Sequence, residues 1–525
     1  MSLTRKALAL AIGMVFAGPA VAAPNPAAAD RALALLQANP AAAHVAAADR
    51  FIVRDIIVDA DGSEHVRFDR TYDGLPVIGG DLVVHSRGGA FKSVSQTQAV
   101  TLKLGTRPAL ALADAVVRAG AEFDSDFLGT PGGELVVYAR DPRIARLAWK
   151  INLQGVDSNG NPTDMSYVVD AGNGKVLDRW SNIETVAPPC TAPTSAAGTG
   201  KTLYSGNAGI NAQHCSEGGY QLKDLARGGA FTVNMTNHTT GGTIFVDADN
   251  SWGNNSVSDA TSAGADAHFG IAETWDYYKN VHGRNGIGND GKGAQGQVHY
   301  GVNYVNAAWS DACFCMHFGD GDGVTYGPLV ALDVAGHEMS HGVTARTAKL
   351  MYSGESGGLN EANSDIMGSM VEFYANNALD TPDYMIGEEL FISNPGNTKA
   401  SRWMFDPHRD GHSPNCYAAG IGRINVHYSS GPANHFYYLL AEGTGARTYS
   451  GVNHTSTTCN GTSLAGIGRA KAEKIWYRAL TVYMISTSKY HDARVATINA
   501  ANDLYGATST EAKAVAATWT AVSVN

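Results

Sequence analysis

Residues Val330 to Thr347 read V-A-L-D-V-A-G-H-E-M-S-H-G-V-T-A-R-T, and within them His337, Glu338 and His341 stand in the order H-E-x-x-H. Residues four apart on a helix lie about one turn from each other on one face, so both imidazoles can reach a single metal ion. Glu338 then projects beside that metal rather than onto it. Two neutral imidazoles suit zinc, and a catalytic zinc site takes three protein ligands plus a water in an open fourth position. The third ligand is expected in G-G-L-N-E-A-N-S-D, Gly357 to Asp365, where Glu361 and Asp365 are again four apart. Glu361 can complete the site, and Asp365 can hold the far ring nitrogen of a ligand histidine and fix its tautomer. An accidental H-E-x-x-H on a polar surface helix should occur in roughly one such chain in fifty. A second carboxylate pair at helical spacing, just where a ligand is needed, argues against coincidence.

These residues, with F-Y-A-N at Phe373 to Asn376, resemble the thermolysin-like metalloendopeptidases, particularly the vibriolysin and pseudolysin branch. The resemblance implies an α+β fold: a two-lobed catalytic domain, β-rich in its N-terminal lobe and α-helical in its C-terminal lobe, preceded by an α+β propeptide. Far upstream, T-Y-D-G-L-P-V-I-G-G at Thr71 to Gly80 is similar to the start of that family's propeptide.

A chain of 525 residues is too long for one core. Its formal charge of -11 leaves no basic footprint for nucleic acid or an anionic membrane. The N-terminus, M-S-L-T-R-K followed by an apolar run from Ala7 to Ala17 and then G-P-A-V-A-A, is of the secretory signal type, with cleavage expected after Ala22 or Ala23. No later stretch approaches the ~18 uninterrupted apolar residues of a membrane span, so a secreted protein is expected. Six cysteines in an exported chain read as disulfides, with fifteen pairings open. Cys416 with Cys459 is favoured. The C-F-C spacing of Cys313 and Cys315 is unusual, because a bond there closes a small strained ring.

Along the chain, Pro24 to Asp49 is Ala-rich and helix-prone. From His65 to Tyr72 the pattern alternates, with Val66, Phe68, Arg70 and Tyr72 on one face, and Asp73-Gly74 turns the chain into a hairpin. A helix is expected over Leu110 to Glu122 and strands over Leu135 to Ala139, Ala145 to Leu153 and Met165 to Asp170. Thr185 to Gly200, rich in Pro, Ala, Thr and Gly with no hydrophobic period, reads as a linker open to nicking, with the mature N-terminus near Ala196. A cut there discards Cys190; a cut upstream of it keeps all six cysteines. The expected divisions are a signal peptide over 1–22, propeptide halves over 23–105 and 106–185, a linker over 186–196, and catalytic lobes over 197–335 and 336–525. Within the lobes, helices are expected over Asp266 to His282, Ala433 to Leu440, Ser463 to Met484, Ala493 to Tyr505 and Thr510 to Ala521. His268 is assigned a structural role, and His408, His412 and His435 no functional one.

The remaining site residues follow from the resemblance. His427 in N-V-H-Y-S-S-G-P-A-N-H and Tyr352 in K-L-M-Y-S-G-E-S-G-G match the family's donors to the oxyanion, and Glu338 its general base. Arg402 in S-R-W-M-F-D-P matches the arginine that binds a substrate carbonyl. Asn306 and the backbone of Ala307, in N-Y-V-N-A-A-W, match an edge strand along which an extended peptide can pair. The specificity pocket maps onto Leu329, Val334 and Ile386, which would accept a large hydrophobic side chain just after the scissile bond; Ser401 stands where a leucine is common. A calcium site is implied at Asp333, Glu372, Asp383 and Glu388, and Met385, where another acid could sit, suggests one ion. The reading is a secreted zinc endopeptidase acting as a monomer on protein and peptide substrates, with its own propeptide as inhibitor and folding aid. An aminopeptidase, or a catalytically inactive binding protein on the same fold, are the alternatives.

Overall fold

The computed structural model describes residues 26–525 except 124, 128–129, 142, 158–161, 182–189, 191, 217–218, 240–241 and 312. The expected signal peptide over 1–22 lies outside them. Among the described residues no helix is long and apolar enough to cross a membrane.

The N-terminal unit, expected to be a propeptide, is built on one sheet of ten strands, with helix α1 (Pro26–Ala38) over one half and α2 (Leu112–Gly120) over the other. Ala32 and Leu36 of α1 pack on Val66, Phe68, Leu82 and Val84, while Ala115 and Ala119 of α2 pack on Ile151, Leu153, Tyr167 and Val169. The halves are joined by a parallel contact, Val77 opposite Val137 and Ile78 opposite Tyr138.

The strand Ser63–Tyr72 carries the expected face of Val66, Phe68, Arg70 and Tyr72, all buried. Its polar face is buried as well, His65 at 7% exposure and Arg67 at 3%, because the C-terminal catalytic lobe covers it. Buried polar groups require partners. Arg67 finds them in the carbonyls of Thr481 and Met484, at 3.2 and 3.1 Å. Arg478 pairs with Asp59 at 2.7 Å, the Ser486 hydroxyl donates to Asp81 at 2.5 Å, and Thr97 bonds Thr487. His65 and His85 meet Nδ1 to Nδ1 at 2.6 Å, and His85 stacks on Tyr483. The alternating strand is thus a two-sided element whose second face is a docking surface.

The stretch expected to be linker as far as Gly200 is corrected from Thr194 onward. Thr194–Lys201 is a full strand of the N-terminal catalytic lobe, paired antiparallel with Asn207–His214 from Thr194 opposite His214 to Lys201 opposite Asn207. Small residues are there because a neighbour is close: a Cβ at Gly198 would lie 2.2 Å from the Asn250 side-chain oxygen. Low hydrophobicity here belongs to a largely exposed strand whose two glycines lie close to Asn250 and Ala265, not to an open tether.

Helix α3 (Ala260–His282) runs through that lobe, starting six residues before the expected Asp266 because the Asp259 side chain caps it through Thr261 N. Next come α4 (Leu332–Arg346), which carries H-E-x-x-H, and α5 (Gly354–Ala375), which carries Glu361. The boundary expected at 335/336 would cut α4; the helix is continuous. Two glycines set how closely these helices approach: a Cβ at Gly368 would lie 2.5 Å from Asp333 O, and one at Gly336 would lie 3.0 Å from Gly368 Cα. The short α6 (Val426–Ser429) leads into α7 (Gly431–Glu442), and α8 (Arg469–Arg478), α9 (Tyr490–Tyr505) and α10 (Thr510–Ala521) complete the helical lobe. The helix expected over Ser463 to Met484 is shorter: glycines 466 and 468 precede it, and Ala479–Tyr483 widens into a π turn. That turn presents the Thr481 and Met484 region to Arg67.

All six cysteines are paired, as Cys190–Cys215, Cys313–Cys315 and Cys416–Cys459. The favoured pair is present. The unusual C-F-C pair is present too, because Phe314, at φ 59°, turns the chain and leaves the flanking Cα atoms 5.1 Å apart.

Candidate active site

Helices α4 and α5 bring the first five candidates together. The Nε2 atoms of His337 and His341 are 3.0 Å apart, and the Glu361 carboxylate faces both, at 3.7 and 3.4 Å. The far nitrogens are occupied: His337 Nδ1 meets Asp365 at 2.9 Å and His341 Nδ1 meets the Asn360 side-chain oxygen at 2.7 Å. Protons held at both Nδ1 positions leave the Nε2 lone pairs aimed at one point. Glu361 is fully buried and its Oε2 accepts no hydrogen bond. Two imidazole nitrogens and one orphaned carboxylate oxygen fit a zinc ion.

Asp365 is the junction of the site. It also accepts from Arg402 Nε and Nη2, at 2.8 and 2.6 Å, and from Asn434 of α7 at 2.8 Å. Burial works against its charge, but Arg402 and His337 outweigh it and hold the carboxyl far below its usual range. Glu338, one residue after the first histidine, lies in the same cleft; burial raises its pKa above that of an ordinary glutamate. Tyr352 donates its hydroxyl to Glu361, and His427 Nε2 stands 3.2 Å from that hydroxyl. His427 Nδ1 meets Asn425 Oδ1 at 2.8 Å, which fixes the ring; burial lowers its pKa.

The cleft, about 1060 Å³, is also lined by Asn306, Ala307, Leu329, Val334, Ile386, Arg402 and Ser401. Ala307–Ser310 is an edge strand, paired on one side only, with Cys315–Phe318. Sequence reasoning missed Leu390, which lines the cleft beside Ser401. It also missed that the propeptide enters the cleft: Ile78, Gly79 and Trp180 line it. Arg140 bonds the hydroxyl and carbonyl of Ser353, next to Tyr352, and Asp178 braces the same arginine at 2.9 Å. His268 and His435 are satisfied core residues, the first bonded to Thr232 and Asn211 O, the second to Asn415 O and Ser456.

Beside this site on the same helices lies a second cluster. Ligand atoms of Glu372, Asp380 and Glu388 come within 4.8 Å of one another, all buried. Both oxygens of Asp380 and Glu388, and one each of Glu372, Asp383 and Glu389, accept no hydrogen bond. Burial and mutual repulsion push Glu372 and Glu388 well up, Asp380 and Asp383 up to about 7, and Glu389 up to about 9. Asp333 is quieter, because its oxygens accept from Val334 N and Gly387 N, each at 2.7 Å. The cluster includes Asp380, which was not among the expected calcium ligands Asp333, Glu372, Asp383 and Glu388, and Glu389 lies against it. The signal for Asp380 was an acid inside the loop after α5, masked by its ordinary D-T-P-D turn composition.

Comparison with known proteins matches this architecture. The description "Thermolysin metallopeptidase, catalytic domain" fits residues 197–345, "Thermolysin metallopeptidase, alpha-helical domain" residues 348–524, and "Fungalysin/Thermolysin Propeptide Motif" residues 49–97. The transglutaminase-activating metalloprotease of Streptomyces mobaraensis is 44% identical over 91% of this chain, which spans 61% of that relative's length. Thermolysin of Alicyclobacillus acidocaldarius subsp. acidocaldarius is 37% identical over 89% of this chain and 84% of its own. Among solved structures, the precursor of protealysin from Serratia proteamaculans is 29% identical with a TM-score of 0.44, over 56% of this chain and 87% of that one. With both catalytic descriptions and the propeptide motif matched in order along it, the chain belongs to the thermolysin metallopeptidase family.

Proposed function

We propose that this chain is a secreted zinc endopeptidase that cuts on the N-terminal side of large hydrophobic residues and is made as a precursor that removes its own propeptide. The observation that carries the reading is one cleft holding two converging Nε2 atoms, an orphaned carboxylate, a buried glutamate and an edge strand. His337, His341 and Glu361 would hold a zinc ion, which when bound would supply Lewis acidity to the cleft.

The chain's own residues do the rest. An extended peptide pairs with Ala307–Ser310, and Asn306 contacts it beyond the strand's end. Arg402 keeps Nη1 for a substrate carbonyl, since its other two nitrogens hold Asp365. Glu338 takes the water proton and passes it to the leaving amine; its raised pKa suits both halves of that task. Tyr352 and His427 donate to the carbonyl oxygen as charge grows on it. Leu329, Val334 and Ile386 receive the side chain after the scissile bond, with Leu390 narrowing a pocket that Ser401 widens. Glu372, Asp380, Asp383 and Glu388, with Asp333 beside them, would hold a calcium ion, which would tie α5 to the following loop. The protein works as a monomer.

Casein hydrolysis by purified protein is the test. Activity should vanish with a zinc chelator and return with zinc. No hydrolysis by the zinc-loaded, processed protein points to an inactive binding protein, and release of single N-terminal residues alone points to an aminopeptidase.

A further inference from the structure

The Cys190–Cys215 bond bears on where the precursor is cut. Cys215 directly follows the strand Asn207–His214 of the catalytic lobe, and Cys190 stands four residues before Thr194–Lys201, its sheet partner. The chain from Cys190 onward is therefore fastened twice to the catalytic lobe, once covalently and once by strand pairing. Every residue from Thr194 to Lys201 has its opposite number on Asn207–His214. Asn250 adds a bond to Ala197 O at 2.9 Å and accepts at its own carbonyl from Thr199 N at 3.1 Å. A peptidase cleft binds an extended segment whose backbone groups are free to pair with the enzyme. The backbone around Ala196 is already committed to a sheet.

We infer that Cys190 belongs to the mature enzyme and that the cut which frees the propeptide lies on its N-terminal side. Hydrolysis upstream of Cys190 consumes one water, leaves the new carboxylate on the propeptide and the new ammonium on the catalytic chain, and no covalent link remains. Hydrolysis between Cys190 and Thr194 consumes the same water, but the propeptide then ends at or just beyond Cys190 and stays tied to Cys215. Such a two-chain form keeps Ile78, Gly79 and Trp180 attached to the cleft they line. The mature chain thus keeps all six cysteines, paired. The expected cut near Ala196 would leave Cys215 bound to a discarded segment.

The inference rests on the reading of this chain as a processed precursor, but not on which peptidase cuts. In a Glu338→Gln full chain, a thrombin recognition sequence is inserted either directly after Ser181 or between Cys190 and Thr194, and thrombin is added. In non-reducing denaturing gels the first variant should separate into two fragments, whereas the second should migrate as one species until dithiothreitol is added. Separation of the second variant without reductant overturns the inference. N-terminal sequencing of the active wild-type enzyme should read a start before Cys190; a start at residue 191 or later, with Cys215 free, overturns it as well. If the wild-type chain is never cut, the precursor reading fails, and the thrombin arms still decide the tether.

Discussion

Helices α4 and α5 carry two acid-rich sites less than a helix length apart, and the two solve the same electrostatic problem in opposite ways. Around Glu361 and Asp365 the chain supplies partners: burial works against both charges, but the histidines facing Glu361, and Arg402 with His337 on Asp365, hold both carboxyls below their usual range. Around Glu372, Asp380, Asp383, Glu388 and Glu389 it supplies none, and repulsion plus burial drives every carboxyl up. Uncompensated buried charge is expensive enough that groups neutralise instead of staying ionised. One site is pre-organised by residues and lends itself to chemistry. The other offers a cation nothing but carboxyls, and its occupancy would bear on stability.

The largest effect that separates them is expected at Glu338. Glu338→Gln should lower kcat by roughly a thousandfold, within the range for a lost general base, while zinc content stays full and the proform accumulates uncut. Glu361→Ala should instead lose most zinc. Metal analysis finding full zinc in purified Glu361→Ala would break the assignment of ligand against base.

His427→Ala should lower kcat on the order of 100-fold with a small change in KM, because a donor to developing charge acts mostly in the transition state. An unchanged kcat would return His427 to a packing role.

The second site gives a prediction of sign. Without calcium, carboxyls whose folded pKa lies above the unfolded value of about 4 bind more protons in the native state than in the unfolded one. Stability is then present at low pH and is lost as pH rises through about 7. Calcium-free Glu338→Gln protein should melt higher at pH 5.5 than at pH 7.5, and calcium should reverse that order. Asp380→Asn should raise the melting temperature in chelator and lower it in calcium. A calcium-free melting temperature that rises steadily with pH would remove the contrast between the sites.

The smallest effect concerns the propeptide. His85 faces His65, Tyr483, Arg67 and Arg478, with Asp59 behind His65, and burial foremost depresses its pKa to about 3. A depressed histidine favours docking while neutral, so docking should weaken as pH falls below the free value of about 6.5. Between pH 7.5 and 5.5 the nicked complex should lose about tenfold in affinity, read by gel filtration of the Glu338→Gln protein cut upstream of Cys190. A pH-independent complex would mean that His85 stays buried after release.

The active site was legible because its chemistry is local. His337, Glu338 and His341 sit within one turn, and Glu361 and Asp365 within another, so helical spacing alone brings the donors together. Asp380, Glu389 and Leu390 were not legible in the same way, since an acid or a leucine in a loop carries no period and only the fold turns it inward. The strand Thr194–Lys201 failed for the reverse reason. Its glycines answer to Asn250 and α3, a tertiary demand that looks like linker composition when read along the chain. The two-faced burial of Ser63–Tyr72 was half legible: alternation announced one core, and nothing local announces that a second body covers the polar side.

That second body has a consequence in time. Arg67 reaches Met484, Asp59 reaches Arg478, Asp81 reaches Ser486 and Thr97 reaches Thr487, sequence separations of 417, 419, 405 and 390 residues. At roughly 5 to 20 residues per second of synthesis, about 20 to 80 s pass between the appearance of the first partners and the last. This part of the propeptide's seat is completed last, by the turn before α9, after the cleft that Ile78, Gly79 and Trp180 line has been made. A nascent chain halted before Arg478 would hold a complete metal-binding motif, the whole edge strand and the Ser353 contact of Arg140, but none of these four C-terminal partners.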